Sequence, residues 1–277
     1  MEPWLPFAIG ALVVWSIQRV VTKLALVRWS TAYFYRLNAF LSLLVYAPFA
    51  VLNPPHPAGL AGAFALSLLM AATFWVTTEA TRRGPVGLVS PLTALSPALT
   101  VVLALLLLAE RPTALALAGV VLGALSAALL AFRPAAPGAL AGWLGLACAS
   151  LAMQGVGAFI AKIVVTGSGP TDLLLTSASV QLAVGAVIAR REPLGVSGLA
   201  SGRGLAIVGV LISAAVATIG YLYALSVGPA SVVVPLVATS PSLAGLLGVV
   251  VLRERSTPRQ IIAIALGMVA AVILATG

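Results

Sequence analysis

The feature that most constrains this chain is a succession of apolar runs, each about as long as a bilayer crossing. A helix needs about 20 mostly apolar residues to span the hydrocarbon core. Runs of this kind cover approximately 5–27, 31–52, 58–81, 85–108, 113–132, 138–166, 170–190, 203–226, 229–252 and 258–276. Short turn-forming connections separate them, among them Asn53-Pro54-Pro55-His56-Pro57, Arg82-Arg83-Gly84-Pro85 and Gly167-Ser168-Gly169-Pro170. The runs lack the period-2 alternation of a transmembrane β-barrel. Only 8% of the 277 residues are charged, against about 25% in soluble domains, so a water-soluble enzyme is excluded. The expected fold is an all-α integral membrane protein with ten transmembrane helices.

The chain also repeats itself. Shifted by 144 positions, residues 84–131 fall on 228–275. Gly84-Pro85 meets Gly228-Pro229, Pro91-Leu92 meets Pro235-Leu236, and Ser96-Pro97 meets Ser240-Pro241. Glu110-Arg111 meets Glu254-Arg255 and Gly123 meets Gly267. Polar and helix-breaking residues do not coincide in this way through shared hydrophobicity. A slightly smaller offset places Lys23 opposite Lys162, the only two lysines. Five helices is an odd number, so two such units, 1–133 and 138–277, must cross the membrane in opposite senses as an inverted repeat.

Charge supplies an orientation. The loops after segments 1, 3, 5, 7 and 9 hold ten arginines (28, 82, 83, 133, 190, 191, 203, 253, 255 and 259), and the opposite side holds only Arg111. The positive-inside rule places the arginine-rich loops in the cytoplasm and both termini outside. The start, Met1-Glu2-Pro3-Trp4, lacks the basic region of a cleavable signal, so the first helix is expected to be retained. The Arg, Ala, Leu and Gly bias points to a prokaryotic cytoplasmic membrane.

Lys23 ending segment 1, Arg36 early in segment 2, the Gly-Pro entries and internal prolines of segments 4 and 9, and the Glu-Arg pair closing each resemble the drug/metabolite transporter superfamily in its ten-helix EamA branch. The resemblance spans essentially the whole chain as two EamA-type repeats. It implies export or exchange of amino acids, amphiphilic drugs, sugar nucleotides and other metabolites. Two departures stand out. Ala109 and Arg253 occupy positions that are usually Gly in the family, and family members are drawn with both termini cytoplasmic, opposite to the arginine count.

Charges inside spans cost about 2.5–3.5 kcal/mol on insertion scales and face a cavity or a partner. Arg19, Lys23, Arg36, Glu79 and Lys162 are such charges. Glu79 reads as an ion pair tying segments 1 to 3 through Arg19, Lys23 and Arg36, or as a titratable gate. Arg19 reads as an anchor for a carboxylate or phosphate, or as a side chain snorkelling to the interface. Lys23 and Lys162 read as symmetric gate or snorkelling residues. Prolines 91, 97, 235 and 241 bend segments 4 and 9, Pro97 and Pro241 freeing the Thr93 and Val237 carbonyls at midplane depth, either to line a cavity or simply to curve the helices for packing. Trp15, Trp75, Ser96, Gln154, Tyr223 and Ser240 complete the candidate substrate contacts, in a wall built from segments 1, 3, 4, 6, 8 and 9.

His56 is the only histidine and Cys148 the only cysteine, so no metal site or cofactor is expected. No phosphate-binding loop and no nucleophile–base arrangement is present, which argues against a motor or an enzyme. The expected partners are a small-molecule solute and the bilayer, without nucleic acid; oligomeric state stays open. The leading reading is a gradient-driven secondary transporter working by alternating access, for solutes with an anionic group and an apolar part, such as amino acids. A lipid or lipid-linked sugar flippase is the alternative, and a non-transporting membrane scaffold is the alternative of another class.

Overall fold

The computed structural model describes residues 2–26, 29, 31–83, 89, 92–131, 143–188, 201–251, 253 and 256–277. Helices α1 (Leu5–Leu26), α2 (Thr31–Leu52) and α3 (Pro57–Arg83) open the chain. Then come α4 (Ser96–Leu107), α5 (Ala114–Ala131), α6 (Trp143–Ser168) and α7 (Pro170–Ile188). The chain closes with α8 (Gly202–Val227), α9 (Ala230–Ala238), α10 (Ser240–Val250) and α11 (Pro258–Thr276). Every secondary-structure element among the described residues is helical. Among the described residues, eight spans are long and apolar enough to cross a membrane, α9 and α10 counting together as one. The expected ten include two more. Segment 85–108 is described as helix mainly over the shorter α4, and the 19-residue α7 carries the buried Asp172 in its first turn.

Side-chain size follows the pattern of a protein solvated by lipid. Large apolar groups face outward: Val51 is 81% exposed, Leu106 74% and Phe40 54%. Small hydroxyls are buried, among them Ser16, Ser67, Thr100, Ser126, Ser150 and Ser242. Lipid tails offer no hydrophobic drive to bring helices together, so close backbone approach and hydrogen bonds between helices do that work. Between α5 and α11, Ser126 Oγ donates to the Ala263 carbonyl at 2.6 Å and lies 2.9 Å from Ser242 Oγ. A Cβ on Gly267 would overlap Ser242.

Contacts along these seams give helix directions. Thr113 Oγ1, at the start of α5, donates to the Gly277 carbonyl beyond the end of α11, while Ser126 reaches Ala263 near the start of α11, so α5 and α11 are antiparallel. In α3 and α6, Gly59 faces Ser168 and Thr77 meets Ser150. In α1 and α8, Trp4 lies against Gly228, and Trp15 Nε1 donates to the Ala214 carbonyl at 3.4 Å. The packing respects exchange of the two halves. α3 packs on α6 and α7 as α8 packs on α1 and α2, α4 on α6 as α10 on α1, and α2 meets α7 as α5 meets α11.

Candidate functional site

The chain breaks its helix between α9 and α10 at Thr239, and forms a turn at Ala94 and Leu95 just before α4. The sequence predicts Pro97 and Pro241 near the middle of continuous bent helices. Instead each lies in the first turn of a new helix, where the missing N–H is no loss and the fixed φ favours initiation. The Val237 carbonyl expected to be orphaned receives the Thr239 N–H, shared with Leu236. Neither new helix carries a side-chain N-cap.

The two breaks border one cavity of about 260 Å³, with Thr93, Ser96 and Pro97 contributed by α4 and its approach, and Pro235, Ala238 and Pro241 by α9 and α10. Arg19 from α1, Gln154 from α6 and Gly123, Ala124 and Ala127 from α5 complete much of the wall. Small residues on α5 leave the space open. Arg19 is the only charged side chain among these lining residues. Its Nε donates to Ser240 Oγ at 3.4 Å, and its terminal nitrogens make no hydrogen bond among the described residues. Ser240 is held in turn, its carbonyl lying 3.1 Å from the buried Ser16 hydroxyl. Gln154 donates from Nε2 to Ser150 Oγ at 2.9 Å. Its carbonyl oxygen is left as an acceptor among the described residues. Both new helices start at the cavity, so the positive ends of two helix dipoles reinforce the guanidinium there. The site suits an anionic group.

Of the sequence-predicted substrate contacts, the structure brings Arg19, Ser96 and Gln154 into this wall, with Ser240 directly behind Arg19. Trp15 does not line the cavity; it packs on Tyr221 with ring centroids 5.1 Å apart and fastens α1 to α8. Trp75 is 55% exposed, and Tyr223 is 41% exposed and stacked edge-on against Phe7. Neither is among the residues lining this cavity. The expected contribution of segments 3 and 8 is therefore replaced by that of α5. Pro97, Pro235 and Pro241 line the cavity, whereas Pro91 lies outside the described residues.

Glu79 accepts from Arg83, one turn along α3. The expected tie from Glu79 to Arg19 does not form; Arg19 turns to the cavity, where its Nε meets Ser240. Arg36 lies beside Gly185 of α7, and the Lys23 side chain is outside the described residues. Lys162 is fully engaged: its ammonium donates to the carbonyls of Leu225, Ser226 and Gly228 at 2.8, 3.2 and 2.9 Å, capping the end of α8. Glu110, noted in the sequence only as part of a repeated pair, accepts from the Ala230 and Ser231 N–H groups at 2.9 and 2.8 Å and from the Ser231 hydroxyl. It caps the start of α9.

The repeat extends to backbone conformation. Ala109 and Arg253, 144 residues apart, both have left-handed φ, 52° and 54°. Each follows the end of a helix at a position that favours glycine. At Ala109 the turn lets the Glu110 N–H return to the Ala104 carbonyl while its carboxylate reaches across to α9. Ala109→Gly is expected to raise the unfolding free energy by about 0.5–1 kcal/mol. That is relief of roughly 1–2 kcal/mol of strain less about 0.5–1 kcal/mol of added chain entropy. Thermal unfolding in detergent checks this; a lowered midpoint would contradict it.

Comparison with known proteins gives a consistent result. A solved crystal structure, described only as that of a protein, matches over 99% of this chain and 96% of its own at 18% identity with a TM-score of 0.76. That identity supports likeness of fold alone. No curated protein matches the chain. The model of the EamA-like transporter family matches twice, over residues 2–132 and 141–276. Matched across both halves, this multi-pass membrane protein belongs to the EamA-like transporter family.

Proposed function

We propose that this protein is a secondary carrier that moves a small organic solute by alternating access between two inversely oriented halves. The observation that carries this reading is the cavity itself. It lies where two helices begin at equivalent places in the repeat, Ser96 and Ser240, and it holds a lone guanidinium with unused donors. From that cavity α4 and α10 run on to Leu107 and Val250. The antiparallel course of α5 and its counterpart α11 supports halves that face opposite ways. Two packed halves pivoting about a central site is the arrangement from which such carriers work.

Arg19 would take the carboxylate or other anionic group of the solute, and the Gln154 carbonyl oxygen would accept from a separate N–H or O–H of the same solute. A volume of about 260 Å³ lies at the small end of ligand pockets, which run roughly 300–1,000 Å³. That favours a solute of amino-acid size over a nucleotide sugar or a lipid-linked oligosaccharide, and so the carrier reading over the flippase. The arginine count continues to favour cytoplasmic placement of the loops after segments 1, 3, 5, 7 and 9.

Reconstitution into proteoliposomes with a panel of radiolabelled amino acids and small carboxylic acids tests the proposal. Saturable uptake that accelerates when the same unlabelled compound is placed inside is the expected outcome. Flux no greater than that of empty vesicles across the panel, or flux indifferent to internal solute, would overturn it.

A further inference from the structure

We propose that Glu110 and Lys162 form a latch that seals the cavity from the membrane face at which α4 ends and α9 begins, and that this face opens only when the latch releases. The inference rests on the carrier reading above. α9 runs from Ala230 to Ala238 and α4 from Ser96 to Leu107, each with its other end at the cavity. At 1.5 Å per residue, the latch stands roughly 12–17 Å from the cavity. The two helices pack against one another along that path.

Only Gly228 and Pro229 separate α8 from α9. A junction so tight leaves unpaired carbonyls at one helix end and unpaired N–H groups at the next. Lys162 takes the carbonyls of Leu225, Ser226 and Gly228. Glu110 takes the N–H groups of Ala230 and Ser231. Each charge has the sign that its helix dipole favours. The partners belong to different parts of the fold: Glu110 follows α4 in the first repeat, Lys162 lies on α6, and the junction they grip is in the second repeat. The Glu110 tie must break for α4 to leave α9 at this face, and the Lys162 tie for α6 to leave the same junction.

The chemistry suits a reversible closure. Every group in the latch is polar, so water entering an opened face can replace each partner that the latch itself loses. Left-handed Ala109 immediately precedes Glu110, and strained backbone of this kind concentrates at switching segments. By the repeat shift, Glu254 corresponds in sequence to Glu110, and Lys23 to Lys162 at the smaller offset.

Electron–electron distance measurements on the full chain in nanodiscs, in a Cys148→Ser background, test the latch. One spin-label pair, Ala109→Cys with Val227→Cys, spans the latched face; its counterpart, Arg253→Cys with Arg83→Cys, spans the other. Adding Glu110→Gln is expected to shift the 109–227 distribution to longer distances and the 83–253 distribution to shorter ones. Glu254→Gln is expected to shift them the other way. Should Glu110→Gln fail to fold, Ser231→Ala removes one of the donors to the Glu110 carboxylate and is expected to give a smaller shift in the same direction. Unchanged distributions, or a change at 109–227 with none at 83–253, would reduce Glu110 to a local helix cap and overturn the latch. Solute exchange measured on the same preparations separates the two ideas. Exchange with unshifted distances rejects the latch alone, and its absence from the parent rejects the carrier.

Discussion

Arg19→Ala is expected to lower solute exchange at subsaturating concentration by about 100-fold while the protein still inserts and purifies as a monodisperse species. The guanidinium offers terminal donors to the cavity that no described protein group uses. Two charge-assisted hydrogen bonds at about 1.5 kcal/mol each amount to roughly 3 kcal/mol, or about two powers of ten in affinity. Its one bond to the protein, from Nε to Ser240, is long and contributes little to folding. The loss should therefore fall on transport rather than on stability. Arg19→Lys keeps the charge and loses the planar fork, so an intermediate loss of roughly tenfold is expected. Uptake titrated against concentration separates the effects: a raised half-saturation constant with preserved maximal rate identifies Arg19 as a solute contact. Wild-type exchange in the alanine variant would remove it from the site.

The helical architecture was legible in the sequence because each apolar run had bilayer length and clear punctuation, and the repeat was legible because its matching residues were Gly, Pro, Ser and Glu. Which face of each helix points inward was not. In a soluble helix an apolar stripe marks the core, but helices here are apolar all round. An aromatic ring is equally at home in lipid and in the interior. Trp75 and Tyr223, expected at the cavity, are exposed and do not line it. Trp15 was assigned there and fastens α1 to α8. Small hydroxyls were the better guide, since Ser16, Ser96 and Ser240 are all buried at or beside the breaks.

Charged residues divided in the same way. The Glu79–Arg83 pair follows from i,i+4 spacing on one helix, and segment-to-segment reasoning overlooked it. Lys162 and Glu110 take their partners from a junction more than 60 residues further along the chain. The proline positions were correct and their consequence was misjudged. Each was read as bending a helix, whereas at Pro97 and Pro241 the chain starts one.

The second large effect concerns access to the cavity. Ala124 lines it from α5, beside Gly123, and a thiol there would project where solute is proposed to bind. With Cys148→Ser removing the exposed native thiol, Ala124→Cys offers a single reporter. A membrane-impermeant maleimide applied to sealed vesicles of known orientation, from outside or preloaded within, reports which compartment reaches it. A carrier whose halves rock about the cavity is expected to label from both sides, in competition with transported solute. Labelling from one side alone under every condition, or from neither, would contradict the central claim that this cavity opens to each compartment in turn.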